Sequence, residues 1–152
     1  MPEYPWKSAE NVAAGASLPE RFAAQAALTP EAPAVQAEQK TLSYAELARR
    51  VDGIAAALLA RGLRPGQIVA ICVARDERTV AFLLAVQSAG AAYVPLDARL
   101  PKSRLETILA DVRPAFSILD ETFDSAVNAP DRIDADALWQ ESELRQEAEH
   151  AP

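Results

Sequence analysis

Few residues in this sequence combine a reactive type with a spacing that chemistry uses. The only histidine, His150, stands two residues from the end, and the only cysteine, Cys72, lies inside the apolar run IVAICVA at residues 68–74. One Cys and one His cannot assemble a metal site, and no Ser-His-Asp or Cys-His set is expected around His150. Cys72 reads as a core residue because Ile71 and Val73 flank it. Phosphate cradles need clustered glycines, but Gly15, Gly53, Gly62, Gly66 and Gly90 stand apart. Neither a G-x-x-x-x-G-K-S/T loop nor a G-x-G-x-x-G turn occurs. Asp97 alone is well placed: it closes the segment AAYVPL, at the strand end where open α/β sheets bind ligands. Its plainer role, which we assign to it, is to cap or orient the turn before Pro101. No catalytic, cofactor-binding or metal-ligating residue is therefore assigned.

The elements that would position such groups alternate regularly. Ser17 with Glu20, and Ser43 with Glu46, have the spacing of capping boxes, and Pro19 sits in the first turn of the helix that Ser17 opens. Pro30 stops that helix. APAVQAE and KTLSY read as two short strands around a turn. Leu47, Val51, Ile54, Ala55, Leu58 and Leu59 then keep one face of a helix over 44–61, which Gly62 ends. Further helices are predicted over 77–89 and 101–113, and strands over 68–74, 91–96 and 115–119. Unbroken apolar strands alternating with helices predict an α/β fold with a mainly parallel sheet, helices on both faces and right-handed crossovers.

Composition and charge narrow the function classes. The 152 residues suffice for one domain with a real core. One cysteine excludes a disulfide framework. No stretch approaches the apolar length of a membrane span, and MPEYPWKSAE lacks a signal-peptide core, so the chain is expected in the cytoplasm. Residues 1–119 carry 13 basic and 12 acidic groups, whereas residues 120–152 carry 10 acidic groups against Arg132 and Arg145. A balanced body with an acidic tail argues against a nucleic-acid surface. The expected division is a lead-in over 1–16, a folded unit over 17–120 and an acidic tail over 121–152. That tail is read as a solvated, partly helical or disordered linker.

The segment LSYAEL at 42–47 resembles the first core motif of amino-acid adenylation domains of nonribosomal peptide synthetases, within the AMP-forming adenylating enzyme superfamily. AVQSAGAAYVPLDARLPKSRLETILADVRP is similar to their second core motif, with Gly90, Ala92, Tyr93, Val94, Pro95, Asp97, Pro101, Arg104 and Leu105 in register. SLPERFAAQAALTPEAPAV resembles the first helix and strand of the same domain. The likeness runs from Ser17 to Asp120. Ser88 stands where lysine is common and Ala98 where proline is common.

The resemblance implies the N-terminal portion of an adenylate-forming fold. The family is ATP- and Mg-dependent, activates an amino acid as its adenylate and loads a carrier-protein thiol. Its phosphate loop, amino-acid pocket, ribose-binding aspartate and C-terminal lysine have no counterpart before Pro152. The chain is thus expected to be an inactive N-terminal fragment that binds no cofactor by itself, begun at Met1 without an upstream condensation domain. Its implied partners are the remainder of an adenylation domain and a carrier protein, with no nucleic acid and no membrane. Weak self-association is also expected, because four helices are few for strands buried on both faces. The alternative readings are an adenylation-like scaffold or docking module, a related acyl- or aryl-activating ligase, and an unrelated flavodoxin-like or receiver-like domain.

Overall fold

A computed structural model describes residues 15–150. The expected lead-in lies outside the described residues up to position 14. Both capping boxes form. Ser17 accepts from Glu20 N and opens α1 (Leu18–Leu28), and Ser43 accepts from Glu46 N and opens α2 (Tyr44–Ala60). Between them, β1 (Pro33–Gln36) and β2 (Thr41–Ser43) pair antiparallel in a separate two-stranded sheet. Gly62 leaves α2 with a φ of 97°, the left-handed conformation that glycine adopts most cheaply.

The main sheet contains β3 (Ile68–Cys72), β4 (Ala92–Pro95), β5 (Phe116–Leu119) and β6 (Arg132–Asp134), all parallel, in the order β4-β3-β5-β6. Alternation along each strand sends side chains to two cores. Val69, Ile71, Ile118 and Ile133 meet α2, α3 (Glu77–Ser88) and α5 (Ala135–His150) on one face. Ala70, Cys72 and Leu119 meet α4 (Lys102–Val112) and the 123–129 loop on the other. The predicted helices and strands therefore stand within two residues of their expected bounds, and helices do cover both faces.

The acidic segment needs correcting. Over the described residues 121–150 the segment is partly helical, as expected, but it is no solvated linker: β6 extends the sheet and α5 packs on α2. Its charges hide an apolar spacing at Ile133, Ala135 and Leu138, all buried, with Trp139 beside them. Gly53 makes the packing close: a Cβ there would lie 3.0 Å from the Ser142 carbonyl oxygen. Arg50 stacks 4.3 Å from the Trp139 ring centre and donates to Trp139 O and Ser142 Oγ. Arg50 also pairs with Glu143, and Arg61 with Glu141. Among the described residues no helix is long and apolar enough to cross a membrane.

Candidate functional site

The strand order fixes where a ligand would sit. The chain leaves β3 for β4 on one side and returns to β5 on the other, so the switch point lies between the carboxyl ends of β3 and β5. Doubly wound sheets bind ligands in that crevice, where the connections diverge.

Here the crevice is filled by the chain itself. Asp120, the residue after β5, is 9 % exposed and sends its carboxylate across to β3. Its Oδ2 accepts from Ala74 N, and its Oδ1 accepts from Thr122 N at 2.9 Å and from the Thr122 hydroxyl. Arg78 Nη2 lies 3.8 Å from Oδ2. Backbone amides, a hydroxyl and a guanidinium are what an anionic ligand would use. All of them converge on a tethered carboxylate. Burial works to raise the pKa of Asp120, but the hydrogen bonds from Thr122 and Ala74, with the charge of Arg78, hold it below the ordinary aspartate value.

Arg78 extends the cluster. It enters with the first turn of α3, where Asp76 is the N-cap and accepts Arg78 N and Nε, both at 2.9 Å. Another arm pairs with Asp136 in the first turn of α5. One guanidinium thus ties together three carboxylates from α3, β5 and α5. The hydrogen bond it donates to Asp76 is the main reason its pKa rises above the usual arginine value, with Asp136 adding to it.

The other candidates fall around this cluster without joining it. Cys72 is 2 % exposed at the end of β3, and burial, followed by the charge of Asp120, pushes its thiol pKa up. It is a core residue. Asp97 follows β4, accepts from Arg99 N at 2.9 Å and forms a two-oxygen pair with the Arg99 guanidinium. Those hydrogen bonds lower its pKa to about 2, and the charge of Arg75 adds to them. It orients the turn before Pro101, as assigned. His150 ends α5, and its side chain lies outside the described residues.

Asp120, Arg78, Asp76, Thr122 and Asp136 escape a reading of the sequence by motif. Asp-x-Thr directly after the run AFSIL is a side-chain turn signature, and Asp76 two residues before Arg78 is a cap signature. Nothing local announces that Asp136 meets Arg78 across 58 residues. Among the described residues, no group of three His, Cys, Asp or Glu side chains is arranged to hold a metal ion.

Comparison with known proteins gives the context. A model of the AMP-binding enzyme family matches residues 22–151. A dimodular nonribosomal peptide synthase of Bacillus subtilis is 44 % identical over 111 residues, which are 73 % of this chain and 5 % of that protein. The nonribosomal peptide synthetase FmoA3, solved bound to α-methyl-L-serine-AMP, superposes with a TM-score of 0.74 at 32 % identity. That match covers 81 % of this chain and 14 % of the other. The N-terminal subdomain of NpsA from Klebsiella oxytoca, in complex with 3-hydroxybenzoyl-AMSN, superposes with a TM-score of 0.73 at 27 % identity. It covers 81 % of this chain and 31 % of that subdomain. The chain therefore spans a small part of each relative's length.

Proposed function

The chain belongs to the AMP-binding enzyme family, and from that membership we propose that it frames the N-terminal part of an amino-acid-activating domain of nonribosomal peptide synthesis. In this reading, ATP-dependent adenylate formation takes place on residues outside this unit, and the unit holds the sheet against which they are arranged. The closed switch point carries the proposal. Adenylate formation needs donors free to meet a phosphate as charge develops. Here Ala74 N, Thr122 and Arg78 are turned to Asp120. ATP would place its phosphates against that carboxylate, so the residues present do not fit it. They do not fit Mg²⁺ either, since the carboxylates of the cluster are committed to Arg78.

The activated acid is not chosen by this unit. FmoA3 with an amino-acyl adenylate and NpsA with an aryl-acyl analogue match it with nearly equal TM-scores. A second reading, activation of an aryl or other carboxylic acid, rests on that near equality. Either reading implies a carrier protein as downstream partner and a cytoplasmic location, with Cys72 kept as a free thiol.

Two arms test the proposal. The isolated chain should give no exchange of pyrophosphate into ATP with any amino or aryl acid, and exchange above a blank would overturn the reading. Residues 17–150 grafted in place of the matching segment of the Bacillus synthase should retain exchange to within about tenfold, a barrier change of about 1.4 kcal/mol. A folded chimera without activity would overturn the framing role.

A further inference from the structure

The two edges of the main sheet are unlike. In a parallel ladder, alternate residues turn both peptide groups toward one neighbour. Along β4, Ala92 N bonds to Gln67 O and Leu96 N to Ile71 O, so the residues turned outward are Tyr93 and Pro95. Pro95 has no N–H, which leaves that edge a single outward donor. Along β6, Ser117 N bonds to Asp131 O, and the register pairs Ile118 with Ile133. Arg132 and Asp134 thus turn their peptide groups away from β5. The expected shortage of cover over the sheet faces does not arise, since β3 is buried on both sides. Among the described residues, the edge at β6 is what remains open.

That edge is held in place at both ends. The Arg132 guanidinium lies 5.6 Å from the Phe123 ring centre and donates to Val127 O, while Asp134 Oδ1 accepts from Ala137 N at 2.8 Å. Directly after β6, α5 lies on the α2 face. Its Trp139 and Ser142 are engaged with α2, and helical periodicity puts Ala137 and Leu144 on the opposite flank. Both are exposed, and Leu144, at 65 %, is the most exposed of the large apolar side chains among the described residues.

We propose that the β6 edge pairs antiparallel with the β6 edge of a second copy of this chain, about a two-fold axis at Ile133. The axis sets Arg132 opposite Asp134 of the second copy, and Asp134 opposite its Arg132. Each pair joins opposite charges and can exchange main-chain hydrogen bonds. The same axis brings the two α5 flanks, with Ala137 and Leu144, onto one side of a continuous eight-stranded sheet. Two three-residue strands and one helix flank bury less than the roughly 1,000 Å² of a stable interface. A net charge of −7 on each copy also opposes association. The dimer is therefore weak, concentration-dependent and strengthened by added salt, which screens that repulsion.

Sedimentation velocity on residues 1–152 tests the pairing. Arg132→Asp and Asp134→Arg each put like charges across both positions, and either alone should weaken self-association by about tenfold. Mixed, the two variants present only opposite charges and should associate with each other about as well as the unaltered chain with itself. A general loss of folding cannot produce that rescue. Amide exchange gives an independent readout: the Arg132 and Asp134 amides should gain protection with concentration while the Tyr93 amide does not. A monomer at every concentration, with those amides unchanged, overturns the proposal. So does association that both variants keep, or protection that appears at Tyr93. None of these outcomes bears on the pyrophosphate-exchange result, so the two readings fail separately.

Discussion

Replacing Gly53 by alanine separates two accounts of α5 by the sign of one number. Gly53 lies inside α2, where alanine is intrinsically better than glycine by about 1 kcal/mol. If α5 were a loosely attached tail, the substitution would stabilise the protein by that amount. In the structure, the added Cβ would lie 3.0 Å from Ser142 O, 3.1 Å from Ser142 Cβ and 3.2 Å from Ser142 Cα. Two of those atoms are backbone, so the contact cannot be relieved by turning a side chain. Ordinary contact begins near 3.4 Å, so α5 would have to retreat by about 0.4 Å. Leu138, which is fully buried, and Trp139, whose ring lies 6.2 Å from that of Phe82, oppose the movement. Overpacking of this kind costs about 1–3 kcal/mol. Against the propensity gain, a net destabilisation of about 1 kcal/mol is expected, or about 3 °C in Tm. Urea unfolding followed by far-UV circular dichroism measures it, with an unchanged m-value. A variant more stable than the parent by about 1 kcal/mol would refute the close packing of α5 on α2.

Two further outcomes follow from the cluster at the strand ends. Asp120→Asn keeps the shape but removes the charge facing Arg78, and should cost about 2 kcal/mol in the same assay. Because Asp120 has a folded pKa below its unfolded value, its stabilisation is present above the unfolded pKa and is lost as pH falls through the folded one. The unaltered chain should therefore lose stability between about pH 5 and pH 3 more steeply than Asp120→Asn. Equal slopes would show that Asp120 is not held as described. Cys72, buried and raised in pKa, should react with a disulfide reagent at pH 8 only as fast as the sheet opens, and at once in urea. Immediate stoichiometric labelling of the native chain would place the thiol at the surface.

The frame was legible in the sequence wherever one local rule decided it. The apolar spacing of α2, the caps at Ser17 and Ser43 and the left-handed Gly62 each act within a few residues. The segment from β6 onward obeys no such rule. Its buried face uses Ala135, Leu138 and Ser142, two small residues and one large, and Ser142 is buried because Gly53 on a distant helix leaves room for it. Its acids resemble a solvated run until Arg50, Arg61 and Arg78 arrive from α2 and α3. Asp97 was legible as a turn residue because its partner, Arg99, is two positions away. Asp120 was not, because its meaning depends on the order in which β3 and β5 lie side by side.

That order also explains why the anion-binding groups at the switch point face a carboxylate of the chain itself. At the switch point the connections to β4 and β5 part, and the Ala74 amide just past the end of β3 meets the Asp120 carboxylate. Ala74 is half-buried, and an amide there left without an acceptor loses part of the about 1–3 kcal/mol that a buried one would lose. In a binding domain a ligand takes that place and supplies its own anionic groups. Here the acceptor belongs to the chain. A tethered carboxylate has no entropy of association to lose, so a free phosphate could enter only by displacing it from Ala74, Thr122 and Arg78 together. The same carboxylate recruits Arg78, and through Arg78 it fixes the starts of α3 and α5. Groups that would have gripped a ligand thereby grip three elements of the frame. Under the proposed function, a crevice committed in this way would serve as support for chemistry carried out elsewhere in the domain.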